Sequence, residues 1–144
     1  MRLALSAKSL SHENEEPLFY ADERMYVWSV EATKELLKDL HTPTIYILGG
    51  HSDIAYENGM DDYARIDNVP AAVANIDTGH GGTYWDPDGG AAAQVVVDWL
   101  DWRLRGDAKA GRMFLGEDCG LCRDPKWTFE SKRFAELARK RGRR

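Results

Sequence analysis

Asp53, in Gly49-Gly50-His51-Ser52-Asp53, and His80, in Asp77-Thr78-Gly79-His80-Gly81-Gly82-Thr83-Tyr84, are the residues best suited to chemistry. An imidazole can take a proton from a hydroxyl. A carboxylate bonded to its other nitrogen fixes the ring's tautomer and stabilises its charged form. The pair therefore reads as the acid and the base of a three-part relay whose third part is a nucleophilic serine. None of Ser6, Ser9, Ser11, Ser29, Ser52 and Ser131 lies in a Gly-x-Ser-x-Gly, and only Ser29 and Ser52 are weighed as displaced nucleophiles. Plainer roles compete: Asp53 as the cap of a turn after Gly50, and His80 as a turn histidine bonded to backbone. A metal arrangement of His51, Asp53 and His80 with Asp61 or Asp62 ranks lower, because such residues fall at these separations by chance.

Two strands must carry this pair. Thr44-Ile45-Tyr46-Ile47-Leu48 is a continuous apolar run closed by Gly49-Gly50, the pattern of a strand covered on both faces. Residues 71–76 form a second such run and deliver Asp77 to His80 at its carboxyl end. A short helix over residues 59–66 joins them. Upstream, Met25-Tyr26-Val27-Trp28-Ser29-Val30 suits a strand. Residues 31–40 suit a helix with Ala32, Leu36, Leu37 and Leu40 at helical spacing, ended by Thr42-Pro43. Residues 1–24 lack an apolar period and read as an irregular arm. Downstream, residues 91–105 put Ala92, Val95, Val96, Trp99, Leu100 and Trp102 on a broad apolar helix face stopped by Gly106. Trp99 and Trp102 are read as core. A short extended piece over residues 112–115 follows, then a last helix from Thr128, as N-cap, through Leu137.

Alternating strands and helices imply right-handed crossovers and a parallel sheet, with chemistry gathered outside the carboxyl ends of its strands. Asp53 and His80 follow successive strands and so share one rim. The expected fold is α/β, with about three parallel strands and flanking helices in β-α-β-α-β-α order plus a helical C-terminal extension. Its parts are an arm over 1–24, the sheet over 25–105, and the extension over 106–144.

A chain of 144 residues can bury one sizeable core. With 19 basic against 24 acidic residues its net charge is −5, so no nucleic-acid partner is expected. Arg139, Lys140, Arg141, Arg143 and Arg144 read as a solvated tail suited to a helix C-terminus. Residues 1–7 begin like a secretory signal, but the apolar stretch stops at Lys8, short of an h-region of about 7–15 residues. As written, the chain is expected to stay in the cytoplasm. No apolar run approaches the roughly 20 residues that cross a bilayer, and no membrane partner is expected. Cys119 and Cys122, the only cysteines, form Cys-Gly-Leu-Cys. Redox chemistry would want the pair opening a helix after a strand, and zinc would want four ligands. A local structural role, as a small disulfide loop or as two thiols, is the preferred reading.

Residues 42–50 leading to Asp53, the Gly79-His80-Gly81-Gly82-Thr83-Tyr84 turn, and Trp99-Leu100-Asp101-Trp102-Arg103-Leu104-Arg105-Gly106-Asp107, taken in this order, resemble the C-terminal half of an α/β hydrolase. The resemblance is to the branch of dienelactone-hydrolase-like and cutinase-like esterases, over roughly residues 25–132. It implies that Asp53 is the triad acid and His80 the triad base of a serine carboxylic-ester hydrolase. It also implies that residues 25–30 are the strand two before the histidine, and that relatives are often secreted. No cofactor and no metal are implied. The early strands, the oxyanion-hole donors and the nucleophile elbow of such enzymes have no counterpart in residues 1–24. The expectation is therefore a truncated or split fragment, inactive alone, with an ester as substrate only once the nucleophile is supplied. The alternative is a non-catalytic interaction or scaffold protein derived from the fold. In either case the edge at residues 25–30 leaves backbone groups to pair, with a complementary N-terminal half or with a second copy.

Overall fold

The computed structural model describes Ala4–Leu5 and residues 34–139. Its sheet is mixed and runs in the order β1-β2-β3-β4, where β1 is Ala4–Leu5, β2 Thr44–Leu48, β3 Ala71–Ile76 and β4 Trp127–Lys132. The first three are parallel and β4 is antiparallel to β3. Among the described residues five α-helices accompany them: α1 (Tyr56–Arg65), α2 (Gly90–Leu100), α3 (Ala108–Gly111), α4 (Gly120–Arg123) and α5 (Ala135–Arg139).

β2 and β3 are the strands expected from their apolar runs. Every residue of β2 is buried, because each face of the sheet has its own cover. Side chains alternate along a strand, so Ile45, Ile47, Ala72, Ala74 and Ile76 face α2 and the extension beyond it. Tyr46, Leu48, Ala71 and Val73 face Ile66, Val69 and the Tyr56, Met60 and Tyr63 side of α1. Trp99 is the hub of the first cluster, fully buried with Trp102, Phe114 and Phe134 around it at ring separations of 5.4, 5.3 and 6.1 Å. Offset and edge-on ring packing of this kind adds to the burial gain. The reading of Trp99 and Trp102 as core agrees with this.

Several expectations are corrected. Residues 1–24 are not wholly irregular, since Ala4 and Leu5 pair with Tyr46 and Ile47. The place beside those two residues of β2 is thus taken by β1, and the strand expected over residues 25–30 lies outside the described residues. From Lys34 onward the expected helix is a 3₁₀ turn over Glu35–Asp39. The long helix stops as α2 at Leu100 and continues as a wider π turn over Asp101–Arg105 before Gly106, at φ 74°, ends it. Residues 112–115 are not extended. Asp107 caps α3 through Lys109 N–H and Ala110 N–H, and successive turn bonds then wind the chain through Phe114 into the tryptophan cluster.

The last helix is also not where periodicity put it. Residues 127–132 form β4, with Trp127 and Phe129 turned to the tryptophan cluster and Thr128, Glu130 and Lys132 alternating away. β3 presents a row of backbone donors and acceptors on that side, and β4 pairs with it along the whole strand. Arg133, at φ 63°, breaks the chain direction and leaves only α5 as helix. No described helix is long and apolar enough to cross a membrane.

Candidate functional site

The site is made by two loops that cross at the carboxyl ends of β2 and β3. The Gly49 carbonyl accepts N–H bonds from Thr78 (3.1 Å) and Gly79 (2.7 Å), which clamps the loop after β3 onto the loop after β2. The Gly50 N–H donates to the Asn75 side-chain oxygen at 2.8 Å, a second tie between them. A side chain at Gly49 would stand 2.0 Å from the Gly79 carbonyl oxygen, so only glycine allows this approach. From this crossing the chain turns back through Asp53, whose N–H donates to the Gly50 carbonyl, and on into α1.

His80 Nδ1 lies 2.6 Å from Asp53 Oδ1. The carboxylate is nearly enclosed, with 3% of its side chain exposed, whereas 37% of the imidazole faces solvent. A relay that must hold a charge inside and reach a substrate outside needs this difference. Asp53 accepts two further bonds, from Ala55 N–H to Oδ1 (2.8 Å) and from Gly49 N–H to Oδ2 (2.9 Å). Burial pushes its carboxyl up, but the Ala55 N–H, His80 and the Gly49 N–H together outweigh burial and hold it below the ordinary carboxylate range. An ionised carboxylate only accepts, so Nδ1 carries the proton in this bond. The turn-capping role and the partnership with His80 are thus both present in Asp53.

The other residues considered fall elsewhere. His51 is exposed beside Tyr56 and Glu57, while Asp61 and Asp62 both bind Lys34. Among the described residues no group of three His, Cys, Asp or Glu could hold a metal ion. Ser52 stands on the same rim, its Oγ 3.7 Å from where a Gly79 side chain would begin. Ser131 pairs with Ala72, toward the opposite end of the sheet, and Ser6, Ser9, Ser11 and Ser29 lie outside the described residues. Cys119 and Cys122 form a disulfide in the extension, with Cys119 in the tryptophan-side core.

Four contributors are not visible in the sequence as site residues. Gly49 and Asn75 make the crossing. Thr83 sets the exit of the His80 loop by accepting Ala92 N–H (2.9 Å) and donating to the Gly89 carbonyl (3.2 Å). Lys34 anchors α1 behind Asp53 through Asp61 and Asp62. A groove of about 340 Å³ lies beside the rim, on the α1 side of β3 and β4, between Met60, Val73 and Glu130. Gly50, His51 and Asp77 of the two loops line it, and Asp53 and His80 do not.

No family model matches this chain, and no curated protein matches it. The fold and the site together define an α/β protein with a carboxylate–imidazole dyad at one rim of a mixed sheet.

Proposed function

We propose that this chain is the acid–base half of a serine carboxylic-ester hydrolase of α/β-hydrolase type, a fragment that holds the triad acid Asp53 and the triad base His80. The observation that carries the reading is the 2.6 Å bond between Asp53 and His80, made where two adjacent parallel strands end. In this reading His80 Nε2 takes the proton of an attacking hydroxyl while a C–O bond forms at the ester carbonyl. The same proton then passes to the departing alkoxide as its C–O bond breaks. A water molecule, deprotonated in the same way, releases the acid from the acyl-enzyme. Asp53 stays ionised throughout and stabilises the imidazolium.

No Gly-x-Ser-x-Gly in the sequence provides the hydroxyl, so it comes from a complementary N-terminal half, and the chain alone does not turn over. Mixing the purified chain with such a half is expected to start cleavage of p-nitrophenyl acetate, and His80→Ala in the same mixture is expected to abolish it. A complex that forms but never cleaves the ester would sink the reading and favour a non-catalytic interaction protein built on the hydrolase fold.

A further inference from the structure

We propose that Trp85, with Tyr84 on the same loop, is an apolar platform that selects neutral esters with an extended acyl chain. This rests on the hydrolase reading of Asp53 and His80. The described residues with large, exposed apolar side chains are Leu36, Ile54, Tyr84, Trp85, Val97 and Leu104, and three of these lie on the two loops that carry Asp53 and His80. Ile54 directly follows Asp53 and is 82% exposed. Trp85, on the loop after His80, is 90% exposed. The Trp85 indole folds back over that loop, its Nε1 3.0 Å from where a Gly81 side chain would begin, next in sequence to His80. The Tyr84 ring lies 3.6 Å from where a Gly82 side chain would begin. Absent side chains at Gly81 and Gly82 thus let two rings stand against the histidine's own loop.

An indole left in water beside a proton-transfer group supplies a flat apolar surface, and an acyl chain lying on it leaves water at little cost in ordering. The charged groups around the platform select further. Asp77, Asp86 and Asp88 are exposed on the loops that carry it, so an anionic substrate is repelled, as is the carboxylate product. A neutral ester with an apolar chain meets no such barrier.

The test uses the chain with its complementary half, and p-nitrophenyl acetate against p-nitrophenyl octanoate. Trp85→Ala is expected to lower kcat/KM for the octanoate about tenfold and to leave the acetate within about twofold. Trp85→Phe restores most of the loss. Equal losses on both esters, or none, overturn the proposal, as does a weaker association of the two halves with chain-length preference intact. The isolated chain gives a reading that needs no turnover. N-phenyl octanamide is expected to shift tryptophan emission to the blue in the wild type and not in Trp85→Phe, and no shift in the wild type overturns the proposal. If the mixture cleaves neither ester while the emission shifts, the hydrolase reading has failed and the platform stands.

Discussion

Gly49 and Gly79 meet backbone to backbone: the Gly79 N–H donates to the Gly49 carbonyl at 2.7 Å, and a Cβ on Gly49 would overlap the Gly79 carbonyl oxygen at 2.0 Å. This backbone contact, with the Gly50 N–H bond to the Asn75 side chain beside it, brings the loops of Asp53 and His80 together. Gly49→Ala is expected to cost about 1–3 kcal/mol, as overpacking does, and to part His80 from Asp53. Gly79→Ala has room, with Ser52 Oγ its nearest neighbour at 3.7 Å, but must hold φ 75°, so it is expected to cost about 1–2 kcal/mol with the dyad intact. Urea unfolding gives the two costs. The downfield NMR signal of the His80 ring N–H shows whether the dyad persists. Its survival in Gly49→Ala would refute the role assigned to the crossing.

Both carboxylate oxygens of Asp53 face donors, Oδ1 from Ala55 and His80 and Oδ2 from Gly49. In Asp53→Asn the amide nitrogen must therefore meet an N–H whichever way it turns. A loss of about 1–3 kcal/mol is expected, along with the imidazole's preference for the Nδ1–H tautomer. Nitrogen chemical shifts of the ring report the tautomer directly, and an unchanged tautomer would count against Asp53 as its orienting group.

The same carboxylate gives the acid response its sign. Its folded pKa lies below the unfolded value of about 3.9. Its contribution to stability is therefore fully present above that value and fades as pH falls through the lower, folded one. The stability gap between wild type and Asp53→Asn should close on acidification below about pH 4. Unfolding curves at about pH 4 and at successively lower values test this, and a gap that widens over that range would reverse the assignment.

Lys34 is nearly enclosed, with its Nζ 2.8 Å from Asp61, 2.6 Å from Asp62 and 3.1 Å from the Asn58 carbonyl. Tyr46 OH donates to the other oxygen of Asp62 at 3.2 Å, and burial together with that carboxylate pushes the Tyr46 phenol well up. Removing one partner of a buried ion pair costs about 3–5 kcal/mol, but Asp61 and Asp62 keep 42% and 20% of their side chains in solvent. Lys34→Met is therefore expected to cost less, about 1–3 kcal/mol, and Asp62→Asn added to it should recover part of the loss. A double-mutant cycle in urea measures the coupling, and strictly additive losses would mean that the pair does not cooperate.

How much of this was legible in the sequence follows from the range of each interaction. β2 and β3 were readable to the residue because their apolar runs are local and bounded, at Thr44–Leu48 by the Gly pair and at Ala71–Ile76 by Asp77. The meeting of Asp53 with His80 was readable one step further, from the rule that parallel strands gather their chemistry at one end. The crossing of Gly49 with Gly79 was not, since two glycines 30 positions apart carry no mark of a backbone contact. Lys34 likewise carries no local mark, since only the fold sets it against two aspartates. β4 was misread because Thr128 is a good N-cap residue and Phe134 and Leu137 lie at helical spacing. The open side of β3 decides the matter, and no window of residues 127–137 contains that information.

The Cys119–Cys122 disulfide closes a loop of only a few residues, so its entropic contribution by loop closure is small, about 2 kcal/mol. Its position gives it a local role as well. Cys119 is buried in the tryptophan-side core and its Sγ accepts the Cys122 N–H at 3.1 Å, capping α4, while Asp124 ties the turn to Trp127 at the start of β4. Replacing both cysteines by alanine is therefore expected to lower stability by about 2 kcal/mol and to speed amide exchange along β4. Asp53 and His80, which lie in other loops, should keep their bond. Reduction of the wild type should reproduce the loss, and the double variant should not respond to reductant. Wild-type stability and β4 exchange that ignore reductant would show that the packing of Cys119 alone holds this segment.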